Sequence, residues 1–264
     1  MTADYRVPGQ VFGEVAEDFD RVRLRYPDEL VEDVLSYSRL AGSGRRVLEV
    51  GAGTGKATLA FAAHGVPIVA LEPDEAMAAV LAHHVAGVRN VRVVKCRFED
   101  YGPDEAFGLL YAADAWHWTE PILRWRLAAE ALVRGGTLAL FWNRDRIEDT
   151  SLRNAMVEVL TEIAPVVVVN DAQPEPNRLL NEGPGSELTQ RSEFGDVVSR
   201  IFTSRLIIPG MDYLTYMSTR SQIRMQTEPT RKRLFAALAD VFSRDVPVVV
   251  HSVLYLARRT SATG

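Results

Sequence analysis

The sequence predicts an α/β fold built on a seven-stranded, mostly parallel sheet with helices on both faces. Three observations favour this class. Short apolar stretches alternate with helical stretches up to residue 143, and a glycine-rich turn joins the first strand to the next helix. The length of 264 residues suffices for one large core. A helical cap before the sheet and a helical or looped elaboration after the fifth strand complete the predicted fold.

Local turn signals and apolar periodicity define the elements. Pro27 suits the first turn of a helix, and Asp74 is a good N-cap for the alanine-rich helix that follows it. Short apolar runs bounded by glycine, proline or asparagine predict strands. The elements predicted from the first strand onward are strand 46–51, helix 55–64, strand 67–72, helix 75–86, strand 91–94, strand 107–113, helix 121–132, strand 137–143, helix 151–163, strand 200–208, helical material over 211–243 and strand 247–257.

Four consecutive segments describe the predicted organisation within one structural domain. Residues 1–44 form an N-terminal helical cap, and residues 45–143 form the core. Residues 144–200 form a lid or substrate-binding elaboration, and residues 201–264 complete the sheet. The stretch Asn170–Glu193 is polar and rich in proline and glycine, so we expect a loop or lid that is mobile without ligands.

The composition disfavours several classes of protein. The net charge of −5 and the pI of about 5.6 give little attraction for phosphate backbones, so nucleic acid is not expected as a partner. Cys96 is the single cysteine, which fits a reducing compartment. The apolar runs are too short to span a bilayer, and residues 1–5 lack a secretory pattern. We therefore expect a cytoplasmic protein without a membrane partner, and its oligomeric state stays open.

The stretch Glu49–Lys56 carries the clearest chemical signal, because its glycines let the backbone approach a ligand closely. A phosphate-binding P-loop does not fit, since Val50 and Ala57 stand where that motif requires glycine and a hydroxyl residue. A dinucleotide-binding loop is weakened by Lys56, which stands where a small residue is required. An NAD(P)-dependent oxidoreductase is therefore the second hypothesis for the function.

The same loop resembles the Glu-x-Gly-x-Gly-x-Gly motif of class I S-adenosylmethionine (SAM) methyltransferases at every position. The resemblance implies a Rossmann-like sheet, SAM as the cofactor, and Glu49 beside its ammonium group. Glu72 is expected to accept hydrogen bonds from the ribose hydroxyls, and the stretch after the third strand to hold the adenine. The cofactor-binding residues implied are Glu49, Gly51, Ala52, Gly53, Thr54, Gly55, Glu72, Pro73, Arg97, Phe98, Glu99, Ala113 and Asp114.

Further patches narrow the resemblance to the trans-aconitate methyltransferase-like group of small-molecule methyltransferases. The stretch Tyr111–Trp118 is similar to a His-Trp segment of that group, and Phe12–Pro27 resembles its N-terminal cap. Thr219 and Ser221 match a later pattern, whereas Ile147–Glu193 matches nothing in the group. The candidate substrate-binding residues are Phe12, Phe19, Arg23, Tyr26, Trp116, Trp118, Trp142 and Arg144.

His117 is the candidate catalytic residue. Methyl transfer from a sulfonium is an in-line displacement, so the main task of the protein is to align the acceptor in a dry site. A base is needed only when the nucleophile must lose a proton, and an imidazole with a reference pKa of about 6.5 suits that role. His117 can instead pack around the cofactor without acting as a base. We expect no metal site, since the histidines lack ligand spacing.

The leading hypothesis is therefore a SAM-dependent methyltransferase that acts on a small-molecule acceptor, with O-methylation slightly favoured. The alternatives are an NAD(P)-dependent oxidoreductase and a catalytically inactive SAM-binding partner protein. The sequence does not choose among methyl acceptors.

Overall fold

The computed structural model describes residues 11–169 and 173–260, and the structural statements that follow refer to these residues. The chain divides into two units. Among the described residues, the first unit comprises 11–24, 145–169 and 203–250, and the second comprises 25–144, 173–202 and 251–260. The predicted segment boundaries differ from this division, because both the cap and the elaboration contribute residues to each unit.

Seven strands of the described chain form one sheet, as predicted. The strands are β1 (Val47–Val50), β2 (Ile68–Leu71), β3 (Val91–Val94), β4 (Phe107–Ala113), β5 (Leu132–Ile147), β6 (Phe194–Ile208) and β7 (Val246–Arg259). Their order across the sheet is β3-β2-β1-β4-β5-β7-β6. The neighbours from β3 to β5 all pair in parallel, and one strand of the sheet is antiparallel. The predicted mostly parallel α/β sheet is confirmed.

Helices connect and flank the strands. In chain order they are α1 (Ala16–Val22), α2 (Asp28–Ser38), α3 (Lys56–Ala62), α4 (Glu75–His84), α5 (Arg124–Ala131), α6 (Thr150–Ile163), α7 (Pro176–Leu179), α8 (Gly183–Thr189), α9 (Gly210–Ser218), α10 (Ser221–Arg224) and α11 (Glu228–Val241). The predicted cap of α4 is confirmed, since the Asp74 carboxylate accepts a hydrogen bond from the Met77 amide at 3.0 Å.

The second unit has an apolar core on each side of its strands. Alternate residues of a strand point to opposite faces, so Val47 and Leu48 of β1 belong to different core clusters. The rings of Phe61 and Tyr111 stack with their centroids 4.2 Å apart in one of these clusters. β1 and β2 are buried along their whole length, and all their residues except Glu49 are apolar.

The predicted loop over residues 170–193 needs correction from residue 173 onward, and residues 170–172 lie outside the described chain. The helices α7 and α8 form here, and Leu179 and Leu188 are buried in the core. Glu187 of α8 accepts hydrogen bonds from the Arg124 guanidinium at 2.5 Å and from the Trp125 indole at 3.2 Å. This packing disagrees with the expectation of a mobile lid for residues 173–193.

The first unit has its own apolar cluster, to which α6, α9 and α11 contribute buried side chains. A polar network accompanies this cluster. The Asp145 carboxylate accepts hydrogen bonds from the Tyr213 hydroxyl at 3.1 Å, from the Tyr216 hydroxyl at 2.7 Å and from Arg220 at 2.7 Å. The Asp145 side chain is 8% exposed and that of Arg220 is 23% exposed, so this pair is well shielded from solvent.

We expect Asp145→Ala to lower the free energy of unfolding by about 3 kcal/mol, because it leaves a shielded guanidinium without its counter-ion. Urea unfolding measures the change. A matched control is Glu130→Ala, which removes the exposed partner of Arg126 and is expected to cost less than about 0.5 kcal/mol. Equal effects of the two substitutions would contradict a stabilising role for the Asp145 network.

Candidate active site

The glycine-rich loop between β1 and α3 has the left-handed backbone that its sequence predicts. Gly51 and Gly53 have φ values of +69° and +58°. A Cβ on Gly51 would lie 2.6 Å from the Cβ of Ala115, so the packing leaves no room for a side chain at this position. A Cβ on Gly53 would meet the Met77 Cε at 3.8 Å and would otherwise point into open space. The backbone at Gly53 is therefore accessible to a ligand.

Glu72, at the end of β2, is tied to this loop. One carboxylate oxygen accepts a hydrogen bond from the Gly53 amide at 2.7 Å, and the other accepts one from the Asp74 amide at 2.9 Å. Burial raises the pKa of Glu72, and these two amides oppose the increase. Each oxygen has a second lone pair, so the carboxylate can also accept hydrogen bonds from ligand hydroxyls.

Glu49 lies beneath the loop and is 1% exposed. Its Oε2 accepts a hydrogen bond from the Thr58 hydroxyl at 2.6 Å. Its Oε1 and the hydroxyl of Thr54 are buried without a hydrogen-bond partner among the described residues. Burial raises the pKa of Glu49 to about 8, and the Thr58 hydroxyl offsets part of this increase. Unsatisfied buried oxygens at this loop fit a ligand that brings its own ammonium group.

The residues expected to hold an adenine are largely engaged with other protein groups. Phe98 is buried, and its ring is 6.1 Å from that of Trp116, which is also buried. Glu99 accepts a hydrogen bond from the Glu120 amide at 2.6 Å and pairs with Arg97 at 3.4 Å. Phe98 and Trp116 therefore pack in the core instead of presenting open ring faces.

Asp114, directly after β4, has a φ of 53°, which is strained for a residue other than glycine. Its carboxylate accepts hydrogen bonds from the Tyr26 hydroxyl at 2.8 Å and from the backbone N–H of Asn143 at 3.3 Å. The Tyr26 ring is edge-on to Phe141 at 4.8 Å. These contacts bring Tyr26, a predicted substrate-binding residue, to the carboxyl end of β4, next to Ala113.

His117 lies on a short 3-10 turn formed by Trp116–Trp118, close to the same end of β4. Its ring is 4.5 Å from that of Trp118, and its Nδ1 accepts a hydrogen bond from the Trp142 indole at 3.2 Å. The residue is exposed, yet the surrounding protein still desolvates the ring. This desolvation and the positive charge of Arg124 lower the pKa of His117 to about 4.

The remaining predicted substrate residues divide between the two units. Trp142 and Arg144 lie on β5 in the second unit, whereas Phe12, Phe19 and Arg23 lie in the first. Arg23 donates hydrogen bonds to the Thr219 hydroxyl at 3.0 Å and to its carbonyl oxygen at 2.9 Å. The guanidinium of Arg23 also lies 4.6 Å from the ring centre of Phe19. Arg23 is thus engaged within its own unit.

Sequence reasoning missed several neighbours of these residues. It did not single out Arg124 or Tyr255, which influence His117 and Trp142, or the Asp145 network. Tyr255 and the partners of Asp145 are distant in the sequence from the residues they contact, so no local signal identifies them. Arg124 follows His117 closely in the sequence, and its effect depends on how the helix α5 packs against the turn.

Two wider properties of the described chain are relevant to the kind of site. Within residues 11–169 and 173–260, no helix is long and apolar enough to cross a membrane. The same residues hold no group of three or more His, Cys, Asp or Glu side chains arranged to bind a metal ion.

Comparison with known proteins identifies similar chains. Residues 47–136 match the family described as a methyltransferase domain. An uncharacterized methyltransferase of Mycobacterium tuberculosis is 33% identical over 143 residues, which cover 54% of this chain and 56% of that protein. The chain therefore spans about half the length of the curated relatives it matches. A SAM-dependent methyltransferase from Thiobacillus denitrificans, solved with S-adenosylhomocysteine (SAH), has a TM-score of 0.53 at 17% identity, covering 93% of this chain and 97% of that one. This likeness shows a shared fold.

Proposed function

We propose that this chain, which carries a class I SAM-dependent methyltransferase domain over residues 47–136, transfers the methyl group of SAM to a small molecule. We further propose that the accepting atom is an oxygen. The observation that carries the proposal is the pairing of Glu72 with the amide of Gly53, in a loop whose outer side is open to a ligand. This arrangement supports a site for an adenosine-containing cofactor with a free ribose.

The other residues of the loop suit the charged end of the same cofactor. The unsatisfied Oε1 of Glu49 and the hydroxyl of Thr54 are groups that an amino-acid moiety can satisfy. The bound cofactor supplies an activated methyl group on a sulfonium. What the protein must add is alignment of the acceptor and exclusion of water. The exposed turn residues His117 and Trp118 and the strand residue Trp142 are the groups that we assign to the acceptor side.

We expect Glu72→Ala to weaken SAM binding by about 1–3 kcal/mol, because the ribose hydroxyls lose a charged acceptor. Calorimetric titration measures the affinity. The control is Asp74→Ala, which removes the adjacent helix cap and should cost about 1 kcal/mol of stability with little change in affinity. A folded Glu72→Ala protein with the affinity of the wild type would remove Glu72 from the site.

Turnover tests the choice of acceptor. The protein is incubated with SAM and separate panels of carboxylic acids, phenols and amines, and SAH formation is followed by mass spectrometry. We expect SAH with an oxygen nucleophile, together with its methylated product. Turnover with amines alone would overturn the proposed O-methylation. SAM binding without turnover on any panel would favour a catalytically inactive SAM-binding protein.

A further inference from the structure

The hydrogen bond between Trp142 and His117 favours one protonation state of the histidine. An indole N–H can donate a hydrogen bond but cannot accept one. The Nδ1 of His117, which lies 3.2 Å from the Trp142 Nε1, must therefore present a lone pair. A doubly protonated imidazolium has no such lone pair. The contact thus selects the neutral ring, and the single ring proton is carried by Nε2.

The Trp142 ring is itself held in place. It meets the ring of Tyr255 on β7 edge-on, with the centroids 5.9 Å apart and the planes at 77°. Tyr255 is 1% exposed, so it forms a rigid support. The His117 ring also lies beside the ring of Trp118, with the two centroids 4.5 Å apart. The imidazole therefore contacts aromatic groups from two different elements, and these contacts orient the ring.

The charges near His117 favour the same state. Arg124 of α5 is the charged group that acts on the ring, and Trp142 of β5 and Trp118 of the turn bring no charge. Arg124 keeps its own counter-ion, because its guanidinium donates a hydrogen bond to Glu187. Within residues 11–169 and 173–260, no carboxylate acts on His117 in the way that the aspartate of a Ser-His-Asp triad stabilises an imidazolium.

We propose that His117 is a catalytic residue whose Nε2–H donates a hydrogen bond to the methyl acceptor, and that Trp142 is the positioning residue, because its indole occupies the Nδ1 lone pair. This inference rests on the proposed function and deepens it. A base must offer a lone pair to the proton that it removes, and in His117 the lone pair is already occupied. An oxygen acceptor that His117 does not deprotonate is expected to bind in its ionised form. The transfer then needs one event, in which the sulfonium–methyl bond breaks as the acceptor–methyl bond forms.

Nuclear magnetic resonance of ¹⁵N-histidine protein tests the tautomer without any methyl transfer. We expect the His117 Nδ1 to have the shift of a bare nitrogen at pH 7, and the Nε2 that of an N–H. Trp142→Phe removes the donor and should shift the ring toward a tautomer mixture with a higher pKa. Trp118→Phe keeps the donor and should preserve the tautomer. A proton on Nδ1 in the wild type, or an unchanged ring in Trp142→Phe, would overturn the tautomer assignment.

Two substitutions of His117 test its role in turnover. The side-chain amide of His117→Gln has an N–H donor and no basic nitrogen, whereas His117→Ala has neither. We expect His117→Gln to stay within about 10-fold of the wild-type rate, and His117→Ala to fall further. Wild-type turnover should also stay level between pH 5.5 and 8, where His117 is neutral throughout. Equal losses of about 100-fold or more in both variants would overturn the donor role, since a base is lost equally in each. Absence of turnover in the wild type would count against the proposed function, while the resonance result would still decide the tautomer.

Discussion

Gly53→Val is expected to weaken SAM binding by about 100-fold or more, which is the largest single effect at the site. The side chain would project into the open space that the loop leaves for the cofactor, since its first atom meets only Met77 at 3.8 Å among the described residues. Accommodating such an intrusion costs on the order of 3 kcal/mol. Titration calorimetry with SAM measures the loss.

The same substitution at Gly65 is the matched control. Gly65 has a φ of +74°, similar to the +58° of Gly53, and a Cβ there would meet nothing within 4 Å. Gly65→Val therefore introduces comparable backbone strain away from the loop. We expect the two variants to lose similar stability and only Gly53→Val to lose binding. SAM affinity at the wild-type level in Gly53→Val would mean that the loop does not face the cofactor.

Glu49→Gln is expected to have opposite effects on stability and on binding. The folded-state pKa of Glu49 is raised from 4.5 to about 8, so its contribution to stability is fully present below pH 4.5 and is lost as the pH rises through about 8. Between those values the free energy of unfolding falls by about 1.4 kcal/mol per pH unit on account of this group. Glutamine stays neutral, so the ligand-free variant should be the more stable protein at pH 9. It should bind SAM more weakly, because the ammonium group loses its carboxylate.

Urea unfolding between pH 4.5 and 9, with and without SAM, measures both effects. Glu158→Gln is the control, since Glu158 lies exposed on α6. We expect its stability to follow that of the wild type at every pH. Parallel curves for Glu49→Gln and the wild type would show that Glu49 titrates normally.

Much of the sheet was predictable because its signals are local. Strand 107–113 was predicted with the observed bounds, and the cap at Asp74 forms as expected. The helices α7 and α8 were missed because Pro176 and Pro184 were interpreted as breakers. Both prolines instead lie in the first turns of helices, where a missing N–H costs nothing.

The candidate site was predictable only in part. The local sequence and the parallel strand order predict that the glycine loop and Glu72 lie at the same edge of the sheet. The structure brings them into contact. The burial of Phe98 and Trp116 could not be foreseen, because it depends on packing with distant elements. His117 and Trp142 were both singled out, but the bond between them requires the ends of β4 and β5 to meet. That bond changes the expected role of the histidine.

Calorimetric titration of the wild type and of Glu72→Ala with SAH, and separately with NAD, tests the central claim most directly. SAH should give a saturable heat, because its ribose and its amino-acid moiety are expected to bind Glu72 and the loop. We expect that heat to weaken in Glu72→Ala, and NAD to give none. Saturable binding of NAD together with no binding of SAH would contradict the assignment of this site to SAM.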